Sequence, residues 1–396
     1  MERQRIIVGG FIGLYPTGGV TWDYLQYALG LKMLGHEVYY VEDTMQYSGY
    51  QAPGQEWDDA TESVTYLSKA MDQFGLTGRW AYRDIGSGKC FGMTSERLDE
   101  ICRTADVFLN VSASTCLREE YYNIPIRILI DSDPMFTQTQ DWDDSDAAYS
   151  YEHIRNRYSW YNYLFTFGEN IGETDCAIPT LGLNWIKTHQ PVCLDYWSKP
   201  YAQPAAGPVF TTIMNWSARS ELSYNRERYG QKDIEFDKIL GVPGQCKFAE
   251  FEVVMAVSKD FREAFNGLAL HEHGWTVTNP SDKIRSPDRY VEFIHSSSAE
   301  FSVAKNAYVK SNSGWFSCRS ACYLAAGRPV ITQDTGWSKY IETKRGLFSF
   351  SDMDSAINCI TEVAADWDGH SRAAKEMAHA YFDSNKVLTD MLNRIN

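Results

Sequence analysis

The sequence predicts an α/β protein built from two consecutive halves of Rossmann type. Three observations carry this prediction. Strand-like and helix-like segments alternate along the chain, a linker-like stretch lies near its middle, and each half has a glycine-containing loop that opens a helix. The 396 residues, 44% of them hydrophobic, also exceed what one core usually supports. We therefore expect two domains that face each other across a cleft.

The first half opens with a βαβ unit. Residues 5–13 (RIIVGGFIG) are typical of a buried strand, 20–35 of a helix that ends at Gly35, and 36–43 of a strand with acidic residues at its end. The later elements of this half follow in order: a helix over 94–104 and strands over 105–114, 124–134 and 163–172.

The stretch SKPYAQPAAGP, with three prolines and no apolar period, separates the halves. After it the pattern predicts strands over 209–218, 251–258, 274–280 and 308–312, a helix over 313–326, and strands over 330–336 and 346–352. The expected division is a first domain over 1–197, a linker over 198–208, a second domain over 209–370 and a C-terminal helical segment over 371–396.

Charge and cysteine usage exclude several classes of protein. A net charge of -15 gives no general attraction to nucleic acid. No apolar run approaches 18 residues, so no membrane span is expected, and the glycine-broken start does not resemble a signal peptide. The nine cysteines are scattered without a CxxC pair. We expect a cytoplasmic protein with reduced thiols and no bound metal.

The stretch SNSGWFSCRSACYLAAGRPVITQDTG, residues 311–336, indicates an anion site. Small polar residues precede a helix, and the amides at a helix start bind phosphate readily. Ser313, Gly314 and Ser317 are the expected donors. Polar residues 333–336 end the next strand beside the same helix, where they would hold sugar hydroxyls. The alternative is that the serines and the glycine only cap the helix.

Candidates in the first half lie at strand ends and at a helix start. Gly18 and Gly19 open a helix, but GGFIGLYPTGG lacks the spacing of a dinucleotide fingerprint. Asp23 is either a base for an acceptor hydroxyl or a complement to the helix dipole. Asp131 and Asp133 would lie near the acceptor, with a DxD metal pair as the alternative reading.

The chain resembles the bacterial GT-B glycosyltransferases, which use nucleotide-activated sugars. The matching stretches are GGVTWDYLQYALGLKMLGHEVYYVEDT, DSDPMFTQ, FTFGENIG, residues 300–336 and HSRAAKEMAHAYFDSNKVL. The resemblance implies a donor site in the second half, an acceptor site in the first, catalysis without an obligatory metal, and a last helix that returns to the first domain. It also implies that basic side chains hold the pyrophosphate, and Lys232, Lys305 and Arg319 are the candidates.

One departure from the family pattern concerns a pair of glutamates. Many retaining members carry two glutamates separated by seven residues, and Gly314 and Cys322 stand at these positions here. The usual ribose carboxylate is thus absent, and Asp334 is the residue that would compensate.

We predict a glycosyltransferase that moves a sugar from a UDP-, GDP- or dTDP-sugar to an acceptor hydroxyl. Asp23 or Asp133 is the expected base. The expected donor-binding residues are Lys232, Lys305, Ser313, Gly314, Trp315, Phe316, Ser317, Arg319, Gln333, Asp334, Thr335 and Gly336. The expected acceptor-binding residues are Gly18, Gly19, Thr21, Trp22, Asp131, Glu169 and Asn170.

The acceptor is left open among small molecules, lipids, glycans and proteins. Hydroxymethylated bases in phage-type DNA are an alternative, which a basic patch of Arg118, Arg127, Arg155 and Arg157 would favour. A non-catalytic nucleotide-sugar-binding protein and a nucleotide-sugar epimerase are the rival functions.

Overall fold

The computed structural model describes residues 2–47, 59–198, 207–217, 220–257 and 267–395. The strands are β1 Arg5–Gly9, β2 Glu37–Glu42, β3 Trp80–Arg83, β4 Cys90–Gly92, β5 Val107–Val111, β6 Ile126–Asp131, β7 Tyr163–Thr166, β8 Trp185–Lys187, β9 Val209–Asn215, β10 Leu222–Tyr224, β11 Glu227–Tyr229, β12 Glu250–Ala256, β13 Trp275–Thr278, β14 Ala299–Ser302, β15 Val330–Gln333 and β16 Leu347–Phe350.

The helices are α1 Gly18–Met33, α2 Thr61–Gln73, α3 Ser95–Thr104, α4 Glu119–Tyr122, α5 Phe136–Thr139, α6 Ala147–Tyr158, α7 Lys232–Phe236, α8 Val242–Gln245, α9 Gly267–Glu272, α10 Pro280–Lys283, α11 Pro287–Ser296, α12 Asn306–Lys310, α13 Cys318–Ala325, α14 Met353–Ala365, α15 Trp367–Met377 and α16 Ser384–Asn393. A π-helical turn over Ala378–Phe382 joins α15 to α16. No helix of the described residues is both long and apolar enough to cross a bilayer.

Two largely parallel sheets form the centre of the molecule. In the described part of the chain, the first sheet has the order β4-β3-β2-β1-β5-β6-β7-β8, and only β4 runs antiparallel to its neighbour. The second sheet has the order β13-β12-β9-β14-β15-β16 and is parallel throughout. The direction in which successive strands are added reverses between β1 and β5 in the first sheet and between β9 and β14 in the second. A crevice opens at these points beyond the carboxyl ends of the strands. The predicted α/β architecture is confirmed.

Aromatic residues of the first half pack around α1 where it meets the second half. Trp22 is 2% exposed and lies 5.2 Å, between ring centroids, from both Phe74 and Trp197, and Trp197 lies 6.2 Å from Tyr290 of the second half. Its indole nitrogen donates to the carbonyl of Pro287 in the second half, at 3.1 Å. Burial of a large aromatic side chain stabilises such a contact by roughly 2–3 kcal/mol. Trp22, an expected acceptor residue, therefore lies inside the contact between the halves.

The C-terminal segment packs on the first half. A Cβ atom added to Gly30 of α1 would lie 2.5 Å from a methyl group of Leu388 in α16, so the helices approach closely there. The amide of Val192 donates to the carbonyl of Phe382. Residues 199–206 of the predicted linker lie outside the described residues, and the domain boundaries stay a prediction.

One predicted strand is wrong. Residues 306–310 form α12, and the strand next to β15 is β14, seven residues earlier. All four residues of β14 are buried, whereas Lys310 is exposed and pairs with Glu227. The β-branched and aromatic residues of YVKSN suggested a strand, but burial between two neighbouring strands decided the position.

Candidate functional site

Lys232 lies at the start of α7 with its side chain almost completely buried. The residue is 9% exposed, and its ammonium group makes no hydrogen bond or ion pair within the described residues. Burial lowers its pKa well below the usual 10.5, the charges of Arg319 and Lys305 lower it further, and the carboxylates of Glu300 and Asp133 oppose the shift. A buried ammonium group without a direct partner is costly, so an anion bound beside this cationic cluster would stabilise it.

Arg319 is held in this cluster by a buried carboxylate. Its Nε donates to Oε1 of Glu300 at 2.5 Å, and its Nη1 donates to the carbonyl of Ile213 at 2.6 Å. Burial opposes the charge of Arg319, but Glu300 outweighs it and the pKa of the guanidinium is raised. Glu300 is not predicted from the sequence, because a single acid inside a short strand carries no motif.

Replacement of Glu300 by glutamine is expected to destabilise the protein. It leaves the buried Arg319 without its counter-charge, and loss of one partner of a buried pair costs about 3–5 kcal/mol. Urea unfolding of E300Q measures the loss. The control is E292Q, because Glu292 pairs with Arg289 on the surface, with 57% and 69% of these side chains exposed. Equal stability of both variants would contradict a structural role for Glu300.

Lys305 bridges the two halves. Its ammonium contacts both carboxylate oxygens of Asp133, at 2.8 and 3.1 Å, and the hydroxyl of Tyr308 donates to the same carboxylate. The indole of Trp315 donates to the carbonyl of Ser132 at 3.0 Å. Asp133, a candidate base, is thus occupied by partners from the second half.

Helix α13 begins at Cys318, five residues later than expected. Ser317 is its N-cap residue but makes no side-chain capping bond, and the first amides of any helix lack acceptors within the helix. The free amides are therefore those near Ser317, Cys318 and Arg319. They lie beside the cationic cluster, since Arg319 belongs to both.

Gly314 was expected to offer its amide to an anion, but this amide already has a partner in the protein. Its amide donates to the carbonyl of Thr335 at 2.7 Å, so it is not free to bind an anion. Its φ is +75°, and an added Cβ would lie 2.4 Å from the amide nitrogen of Asn170 in the first half. Ser313 is fully buried, and its carbonyl accepts from the same amide of Asn170. Both residues hold the halves together.

Replacement of Gly314 by alanine is expected to lower the free energy of unfolding by about 2–5 kcal/mol, the sum of a left-handed backbone and an overpacked contact. Gly78 is the matched control, since its φ is +69° and an added Cβ meets nothing within 4 Å. G78A should cost only the backbone part, about 1–2 kcal/mol. Thermal unfolding of both variants compares them, and equal losses would show that the contact with Asn170 carries no energy.

The polar residues after β15 are engaged within the second half. Gln333 is 3% exposed and donates to Glu235, while Asp334 accepts from the amide of Gly336 and the hydroxyl of Ser338. Thr335 donates to the carbonyl of Trp315 at 2.7 Å. These partners occupy the groups that were expected to hold a sugar. Phe316, also an expected donor residue, is buried and stacks on Phe382 at 5.2 Å.

Asp23 faces the start of α13 from the first half. Its carboxylate is exposed to solvent, yet it lies in a crevice where the thiol of Cys318 is within hydrogen-bonding reach and the charge of Arg319 is near. Poor solvation in this crevice raises the pKa of Asp23 to about 7. A carboxylate with this pKa is suited to take a proton near neutral pH.

Two expected acceptor residues of the first half, Thr21 and Asp131, are buried and saturated. Asp131 is 1% exposed and accepts from the side chains of Thr137, Gln138 and Thr166. Its buried carboxylate therefore orders the loop that carries Asp133, whose amide also donates to it at 3.1 Å. Thr21 is fully buried against Tyr66, with 2.8 Å between the hydroxyls.

Other expected acceptor residues lie on the contact between the halves. The amide of Gly18 donates to the carbonyl of Ile284, and an added Cβ on Gly19 would lie 3.1 Å from the ring of Tyr290. Asn170 is fully buried and donates to the carbonyl of Asn312. Glu169 is 9% exposed and pairs with His189 at 2.7 Å.

The loop between β1 and α1 is held by Glu42, a second carboxylate that was not singled out. Its oxygens accept from the amides of Gly13 and Leu14, at 2.6 and 3.0 Å, and from the hydroxyl of Tyr40. Burial raises the pKa of Glu42 to about 7. The acid at the end of the second predicted strand was visible in the sequence, but its role depends on the loop that folds over it.

Comparison with protein-family models gives no match to this sequence, and comparison with curated protein sequences gives none either. Solved structures do match. HepE of Anabaena, in complex with UDP and glucose, is similar with a TM-score of 0.59 at 9% identity, over 99% of this chain and 100% of that one. An alpha-glucosyltransferase in complex with UDP and a 13-mer DNA containing an HMU base is similar with a TM-score of 0.58 at 10% identity, over 99% of each chain.

A third similar structure is sucrose-phosphate synthase from Thermosynechococcus elongatus, with a TM-score of 0.56 at 10% identity, over 99% of this chain and 98% of that one. The fold is GT-B. Similarity at these identities concerns the path of the chain, so the chemistry of the cleft has to be argued from this protein's own residues. In this GT-B cleft, the cationic cluster and the start of α13 face Asp23.

Proposed function

We propose that this protein is a glycosyltransferase that moves a sugar from a nucleotide-sugar donor to an acceptor hydroxyl. The observation that carries the proposal is Lys232, a buried and unpaired cation beside Arg319, Lys305 and the free amides of α13. A nucleoside diphosphate fits this site, since it gains negative charge as the glycosidic bond breaks. The complexes of HepE with UDP and with UDP-glucose support this choice of ligand.

The two sides of the cleft divide the chemistry between them. The second half stabilises the departing diphosphate through Lys232, Arg319 and the helix start, while Asp23 of the first half takes the proton of the acceptor hydroxyl. The cations also support a reaction that needs no metal ion, and we expect activity to persist in excess EDTA. All nine cysteines are free thiols, which fits a reducing cytoplasm, and we place the protein there.

Incubation with a panel of UDP-, GDP- and dTDP-sugars tests the proposal. A transferase slowly hydrolyses its donor and gains thermal stability from it, an epimerase isomerises the sugar, and a binding protein gains stability without turnover. We expect hydrolysis of one donor together with a higher melting temperature. No stabilisation by any nucleotide sugar at millimolar concentration would refute the donor site.

DNA is not favoured as the acceptor. Arg118 contacts Asp43 through two nitrogens, at 2.5 and 2.8 Å. Arg127 lies near the amino end of β6 and donates to the backbone carbonyls of Tyr122 and Ile124. Arg155 and Arg157 pair with Glu152 and Asp141 on the surface around α6. These arginines have separate partners in place of the common basic surface that phosphate contacts require.

A further inference from the structure

The floor of the cleft in the first half contains a turn with an unusual backbone. Ser112 and Ala113, which follow β5, both have positive φ angles, 60° and 50°. Residues with side chains seldom adopt this conformation, and consecutive examples cluster at functional sites. The turn presents the hydroxyl of Ser112 to that of Ser132, at 2.5 Å.

These two hydroxyls form a pair that is one acceptor short. Ser112 and Ser132 carry two O–H donors, but one bond links them, so one hydrogen remains. Neither hydroxyl has another hydrogen-bond acceptor among the described residues. The free donor and the unused lone pairs match the hydroxyl groups of a ligand.

The hydroxyl pair lies inside the cleft, between the two candidate carboxylates. Tyr24, which is near Ser112, follows Asp23 in α1 and is near Cys318 of the second half. Ser132 is the neighbour of Asp133, and its carbonyl accepts from the indole of Trp315. A molecule bound at this pair would therefore reach the carboxylate of Asp23.

Aromatic rings border the same surface. The ring of Phe11 is partly exposed and packs edge-on against Tyr24 and Tyr15, with ring centroids 5.9 and 5.7 Å apart. Tyr15 is 46% exposed. A flat ring beside hydroxyl donors suits a ligand with apolar and polar faces. We name Phe11, Tyr15, Ser112 and Ser132 the hydroxyl platform.

Among the described residues, the cations around the hydroxyl platform are held by carboxylates. Arg83 and Arg118, at the same edge of the sheet, both contact the buried Asp43. Lys305 contacts Asp133, the residue after Ser132, and Arg319, whose charge is near Asp23, contacts Glu300. An acceptor with a phosphate group would meet the carboxylate of Asp23 on this side, where Lys305 and Arg319 already have carboxylate partners.

We propose that the acceptor is an uncharged polyhydroxylated molecule, a saccharide or a polyol, bound on the hydroxyl platform. This inference rests on the proposed glycosyltransferase function and specifies its second substrate. The attacking hydroxyl lies against Asp23, while neighbouring hydroxyls bond to Ser112 and Ser132. The acceptor oxygen forms the bond to the sugar, the diphosphate leaves with the bonding electron pair, and the proton passes to Asp23.

The test uses the donor that the full-length protein hydrolyses in the nucleotide-sugar panel. Transfer is measured to neutral mono- and oligosaccharides and polyols, to the corresponding sugar phosphates, and to duplex DNA with hydroxymethylated bases. We expect transfer to a neutral saccharide or polyol, with kcat/KM at least tenfold above that of its phosphorylated form. Preference for a phosphorylated acceptor or DNA would overturn the inference, and so would donor hydrolysis with no neutral acceptor used.

Variants locate the acceptor on the hydroxyl platform. Ser132→Ala and Tyr15→Ala are expected to raise the KM for the acceptor about tenfold, the loss of one hydrogen bond or ring contact, while UDP still raises the melting temperature. The matched control is Tyr149→Ala, since Tyr149 is 64% exposed on α6. An unchanged KM in both platform variants would refute the platform alone, whereas absence of donor binding and hydrolysis would refute the proposed function itself.

Discussion

Replacement of Lys232 by methionine is expected to abolish donor use while making the free protein more stable. Methionine fills a similar volume without the buried charge, so the free energy of unfolding should rise by about 1–3 kcal/mol. Turnover should fall by about 100- to 1000-fold, because the departing diphosphate loses a preorganised cation. Melting temperatures with and without UDP, together with donor hydrolysis rates, measure both effects.

The prediction for K232M is specific because stability is expected to rise while turnover falls. A variant that merely damages the fold loses stability and activity together, whereas K232M should gain stability and lose the shift that UDP produces. Lys283→Met is the control, since Lys283 pairs with Glu252 on the surface and its side chain is 43% exposed. An undiminished UDP shift in K232M would show that the ammonium does not contact the diphosphate.

Replacement of Asp23 by asparagine is expected to remove most sugar transfer without loss of donor binding. General bases contribute roughly 100- to 10,000-fold, so a decrease in kcat of this order is expected. The pKa of Asp23 is about 7, so wild-type kcat/KM should rise with pH through about 7 as the carboxylate ionises. Initial rates of transfer from pH 5.5 to 8.5 record the profile, and its inflection should be absent from the residual activity of D23N.

A stability measurement separates this role from a structural one. Because folding raises the pKa of Asp23, the folded state binds more protons than the unfolded state between pH 3.8 and about 7. The contribution of Asp23 to stability therefore falls as pH rises through this window, and an amide has no such loss. D23N should be at least as stable as wild type at pH 8.

Asp133 provides the comparison between the two candidate bases. Its carboxylate is taken by Lys305 and Tyr308, so D133N should loosen the contact between the halves and reduce turnover by no more than about tenfold. Asp390→Asn on the surface of α16 is the neutral control. A large loss in D133N with a small loss in D23N would exchange the two roles.

Sequence patterns predicted the parts of the site that depend on position along the chain. Parallel strands place their carboxyl ends at one edge of the sheet, so the sequence predicts that the segments after β1, β6 and β15 lie at the cleft. Lys232 was identified through the family resemblance, and Asp23 through its place in the first turns of α1. Both lie at the cleft in the structure.

The sequence was less informative about which polar groups are free. Ser313 and Gly314 look like anion ligands beside Ser317, but contacts with Asn170 and Thr335, distant in sequence, occupy them. Asp131 and Asp133 look equivalent, but Asp131 is saturated by Thr137, Gln138 and Thr166 from its own half.

The sequence by itself thus determined the α/β alternation, the two halves, and the segments that border the cleft, since hydrophobic periodicity and the succession of elements along the chain are local properties. Only the tertiary structure decided that Glu300 holds Arg319, that Lys305 closes on Asp133, and that Ser112 meets Ser132. The reason is that a side chain's availability to a ligand depends on whether the folded chain brings a competing partner within about 3 Å.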